Sequence, residues 1–185
     1  MKSVSIATAI PQSSLLVIDV QIAIVEGAWR EDEVLTAITD LQRRARAASA
    51  PVIFLQHNHS KFAPMMKGAT TWAIHPRVAP LTGELVIEKN ASDGFWDTPL
   101  QSELDRLDVR RLVVSGLQTE FCIDATCRAA LSRGFDVVLA ADAHTTGDAV
   151  MPAETTIRHH NYALANLAHP NRAIRVRNSA DIQFN

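Results

Sequence analysis

The stretch RLVVSGLQTEFCIDATCRAALSRGFDVVLA, residues 111–140, decides the fold. Arg111 to Ser115 is an apolar strand, Phe121 to Ser132 carries helical periodicity, Gly134 is placed to cap that helix, and Val137 to Ala140 is apolar again. Both strands are apolar throughout rather than alternating, as expected where a sheet is covered on both faces. The same alternation extends outward. Ser14 to Val20, Val52 to Leu55 and Leu85 to Glu88 read as earlier strands, and Ala173 to Val176 as a short sixth. Helices are predicted over Val34 to Ala48, Leu100 to Leu107 and Ala153 to Leu167, with Pro51 and Pro99 at boundaries. Strands alternating with helices predict an α/β protein, a three-layer α/β/α sandwich around a mainly parallel sheet of roughly six strands.

A chain of 185 residues suits one domain spanning 1–185 and can bury a sizeable core. Its hydrophobic fraction of 47% and charged fraction of 21% are those of an ordinary soluble globular protein. A formal charge of -2 gives no electrostatic case for nucleic acid or an anionic membrane. No apolar run approaches the length of a membrane span, and Met1 to Pro11 lacks the apolar core of a signal peptide. Cys122 and Cys127 lie five residues apart on one predicted helix and cannot form a disulfide framework; reduced thiols predict a cytoplasmic setting.

In parallel α/β sheets the ligand site lies beyond the carboxyl ends of the strands. Three reactive side chains fall there: Asp19 after Leu15-Leu16-Val17-Ile18, Lys89 after Leu85-Val86-Ile87-Glu88, and Cys122 at the start of a helix. A thiol at a helix N-terminus meets unpaired N–H groups and the positive dipole end, which predicts a lowered pKa. Asp19 would accept the thiol proton, and Lys89 would hold Asp19 and favour the thiolate. Backbone N–H groups near Gln118 and Cys122 would stabilise an oxyanion.

These residues resemble those of the isochorismatase-like cysteine hydrolases, a group that includes nicotinamidases and N-carbamoylsarcosine amidohydrolases. The resemblance runs from Leu15-Leu16-Val17-Ile18-Asp19-Val20-Gln21 through Gly116-Leu117-Gln118-Thr119-Glu120-Phe121-Cys122 to Asp142-Ala143-His144 and His159-His160-Asn161. It implies a catalytic triad of Asp19, Lys89 and Cys122, a cis peptide at Leu117-Gln118 shaping the oxyanion hole, and a homodimer or homotetramer. It also implies a small-molecule substrate with an amide, cyclic amide or carbamoyl C–N bond, the branch including enzymes that open an antibiotic lactam. Cys122 speaks against isochorismate, whose hydrolases cleave a vinyl ether without this thiol.

Gln21, Ile24, His57, Phe95, Trp96 and His144 are the candidate pocket residues. Gln21 would orient Asp19 or Lys89, and Ile24 stands where the family's pocket-lining aromatic stands. The long irregular stretch from Gln56 to Gly83 carries His57, His59 and His75, a conceivable metal set. The Asp of the nicotinamidase metal motif is missing beside them, so the expectation is no metal and no cofactor. Asp142 is expected to tie loops down, and Cys127 to pack in the core.

Overall fold

The computed structural model describes residues 12–184; the amino-terminal segment read above as lacking a signal peptide lies outside them. Six strands, β1 (Gln12–Ile18), β2 (Val52–His57), β3 (Leu85–Lys89), β4 (Val109–Leu117), β5 (Asp136–Thr145) and β6 (Ile174–Arg177), form one sheet in the order β3-β2-β1-β4-β5-β6. Every adjacent pair is parallel, with Leu15 opposite both Val52 and Val113. The apolar runs become strands because both faces are covered.

On one face α2 (Glu31–Ala47) buries Val34, Leu35, Ile38, Leu41 and Ala45 against Leu15, Val17, Val113 and Val138. On the other, α3 (Leu100–Arg106), α4 (Asp124–Ser132) and α5 (Ala153–Ala165) pack against Leu16, Ile18, Val114 and Leu139. The three-layer arrangement thus follows from the two side-chain sets of each strand. A short α1 (Ile22–Val25), too brief to leave a periodic signal, directly follows β1. No helix among the described residues is long and apolar enough to cross a membrane.

The order of strands reverses direction between β1 and β4, which opens a crevice at their carboxyl ends. Gly116 permits those ends to close up: its φ is +123°, and a Cβ there would lie 2.0 Å from the Ile18 carbonyl oxygen. Asp142, on β5, accepts from the Ser179 N–H at 2.6 Å and its hydroxyl at 2.9 Å, so it does pin a loop. Cys127 is fully buried among the α4 contacts, as a core residue should be.

Candidate active site

Asp19 leaves β1 with φ 50°, a left-handed conformation that Asp tolerates better than most residues, and its N–H donates to the Leu55 carbonyl at 2.9 Å. The turn aims its carboxylate across the crevice. Lys89, the last residue of β3, brings Nζ to within 2.6 Å of Asp19 Oδ2, with both side chains essentially out of water. The ammonium also lies 3.3 Å from Cys122 Sγ and 3.1 Å from His57 Nδ1, and it donates to the Ala91 carbonyl at 2.9 Å. Four acceptors therefore surround three N–H bonds. At 2.6 Å the Asp19 carboxylate and the Lys89 ammonium form a buried ion pair.

Cys122 does not sit on the first turn of an ordinary helix. Thr119–Ile123 is a π-helical turn that runs into α4. The preceding Leu117–Gln118 peptide is cis. The N–H groups of Phe121 and Ile123 both donate to the Gln118 carbonyl at 3.2 Å, which closes the turn beside the thiol.

Charge at the thiol differs from the sequence expectation. Burial, reinforced by Asp19, pushes Cys122 up to about 12, with Lys89 pulling in the opposite direction. The sequence reading lowers this thiol, whereas burial moves it the other way. Burial also works against the Lys89 charge, but Asp19 and Cys122 overcome it and hold the ammonium above its ordinary value. His57 is lowered by burial and then by Lys89, so its neutral ring accepts from the ammonium through Nδ1 and carries its proton on Nε2.

Asp19, His57 and Cys122 line a cavity of about 530 Å³ together with Ile24 and Gln118, and Lys89 lies behind that lining. Gln21 stays beneath the surface: it accepts from the His57 N–H at 2.9 Å and donates to the Trp72 carbonyl at 2.7 Å, clipping the long loop to β1. Three other expected pocket residues are elsewhere. Phe95 is only 6% exposed and stacks on Phe135 in the core. Trp96 points outward, 57% exposed, over a separate depression beside Lys67. His144 is buried behind the π turn, where Nδ1 meets the Thr119 hydroxyl and Nε2 meets Asn161, each at 2.9 Å. Rotation about the chain after Lys89, invisible in a one-dimensional pattern, turns both aromatics away.

Several lining residues went unread: Glu26 after α1, Phe62 and Met65 on the long loop, Ser92 near Lys89, and Phe121 beside the thiol. The length of the 56–83 loop and the neighbourhood of Cys122 were the available signals. The three loop histidines do not converge on a metal position. His59 Nδ1 accepts from the Lys61 and Phe62 N–H groups, and His75 Nδ1 from that of Arg77. Asp19, His57 and Cys122 do offer ligand atoms within 4.8 Å of one another. Lys89 Nζ stands among them, so the cation these groups surround is the lysine itself.

Comparison with known proteins gives this geometry a context. The Isochorismatase domain family model matches residues 13–177. A streptothricin hydrolase of Streptomyces noursei is 44% identical over 142 residues, covering 75% of this chain and 56% of its own length. The chain spans about half the length of the two streptothricin hydrolases it matches, 56% and 50%. A secreted isochorismatase effector of Verticillium dahliae is 32% identical over 173 residues, 91% of this chain and 90% of that one. Among solved structures, an isochorismatase of Pseudomonas putida KT2440 aligns at TM-score 0.83 with 25% identity, covering 93% and 90% of the two chains. A cysteine hydrolase of Pseudomonas syringae pv. phaseolicola shares the fold at TM-score 0.84 and 21% identity, covering 94% and 93%.

Proposed function

The chain belongs to the isochorismatase family, and on that premise we propose that it is a metal-independent cysteine hydrolase cleaving the C–N bond of a small amide, cyclic amide or carbamoyl compound. The observation that carries this reading is the contact of buried Lys89 with both Asp19 and Cys122, which themselves line one cavity beside Gln118.

In the proposed cycle Asp19 takes the thiol proton while the sulfur attacks the substrate carbonyl carbon. Lys89 borders both acceptor and nucleophile, so moving the negative charge from carboxylate to sulfur keeps an ammonium at contact distance. The carbonyl oxygen develops its charge toward the N–H groups of Gln118 and Cys122. Collapse breaks the C–N bond, and the Asp19 proton goes to the departing nitrogen. Water then yields a proton to Asp19 and attacks the thioester; the C–S bond breaks, the acid leaves, and sulfur recovers its proton. Lys89 supplies the positive charge, which is why no metal is invoked.

The test is acid-quenched mass analysis of protein mixed with a panel of small amides, including streptothricin because of the relatives named above. An acyl adduct on the Cys122 peptide, with amine release abolished in Cys122→Ala, is the expected result. Amine release that persists in Cys122→Ala overturns the reading. Activity is expected to survive chelation; loss on chelation, restored by zinc, favours a metal-assisted amidase. The reading also carries a reducing, cytoplasmic setting for the two free thiols and a homodimer or homotetramer, which light scattering of the purified chain tests.

A further inference from the structure

We infer that the amide cleaved here bears a cationic amine remote from its scissile carbonyl, recognised by Glu26 together with Phe62 and Phe121; this rests on the hydrolase reading above. Two carboxylates line the cavity, and they differ in circumstance. Asp19 is matched by Lys89 at 2.6 Å. Glu26 closes α1, its N–H donating to the Ile22 carbonyl at 3.2 Å, and its exposed side chain has no ion-pair or hydrogen-bond partner among the described residues.

Among the described residues no Lys or Arg lines the cavity, so there Glu26 is a carboxylate with no cation beside it. A substrate with a remote carboxylate would find no cation to receive it. The second observation is aromatic. Phe62 and Phe121 line the same cavity and remain 44% and 54% exposed, whereas Phe54 and Phe95 are buried. Exposed aromatic faces beside a carboxylate suit an alkylammonium, which gains from both the ring quadrupole and the anion. Ile24 and Met65 supply the apolar wall for the linker between amine and amide.

The probes are aminoethyl, ethyl and sulfonatoethyl methanethiosulfonate, which share a two-carbon chain and whose rates of reaction with Cys122 are read from peptide mass at pH 8, where an ordinary imidazole is neutral. Each charged rate is divided by the neutral one, and peptide mass separates Cys122 from buried Cys127. The cation is expected to outpace the anion. Glu26→Gln should lower that ratio by about fivefold, and Glu26→Lys by about 25-fold because the sign is reversed, on the scale of an exposed charge acting on two opposite probes. An anion-favoured ratio, or one that Glu26→Gln leaves unchanged, overturns this inference and leaves the hydrolase reading standing. A Cys122 inert to all three reagents overturns both.

Discussion

At Cys122 burial and Asp19 hold the proton on the thiol, and Lys89 at 3.3 Å pulls it the other way. Asp19→Asn removes one side of that contest and leaves the ammonium. The thiol pKa should fall by a unit or more, so iodoacetamide labelling of Cys122 at pH 8 should accelerate by roughly tenfold. Amide hydrolysis by the same variant should drop by about a thousandfold, because the proton acceptor is gone. Labelling that slows or stays constant in Asp19→Asn would show that the carboxylate does not restrain the thiol. The wild-type rate should climb about tenfold per pH unit from 7 to 10 without a plateau near 8.5. That Asp19, Lys89 and Cys122 meet at the strand ends was legible in the sequence, because each ends or follows an apolar run. The direction in which burial moves the thiol was not, since burial depends on which loops close over a strand end.

Between β5 and α5 the π turn rests on a fixed strut. His144 Nε2 gives its proton to Asn161, leaving Nδ1 to accept from the Thr119 hydroxyl, and burial depresses its pKa to about 4. An unfolded imidazole takes a proton at 6.5, so the unfolded chain binds more protons than the folded one between those values. The strut's contribution is therefore complete above pH 6.5 and fades as pH falls toward 4, by about 3 kcal/mol in all. Urea unfolding of His144→Gln should show a curve flatter than wild type by about that amount between pH 7 and 4. Parallel curves would mean His144 is not the buried neutral group described. The strands and long helices were legible because periodicity and punctuation mark them, β3 to within one residue. The π turn was not, because at the start of a helical run there is no earlier turn against which an extra residue's shift of the apolar face could show. The same run of residues therefore read as one helix beginning at Phe121.

Over the whole molecule, β3, β1 and β4 each deliver one charged or reactive group to a point where the sheet would be more stable without them. Lys89 and Asp19 are 0% and 1% exposed, and a buried pair recovers its desolvation cost only in part. Removing one partner strands the other. Lys89→Met leaves the Asp19 carboxylate buried beside a thiol, and should cost about 3 kcal/mol, which for a chain this size is a fall in Tm of roughly 6–12 °C. Replacing both, Asp19→Asn with Lys89→Met, exchanges two buried charges for an amide and an alkyl chain, and Asn keeps the left-handed φ of 50°. That double variant should recover at least the wild-type Tm while showing no amide hydrolysis, so stability and chemistry separate in a single calorimetric series. A double variant that melts as low as Lys89→Met would show instead that the ion pair holds the strand ends together, and that the sheet, rather than the reaction, requires it.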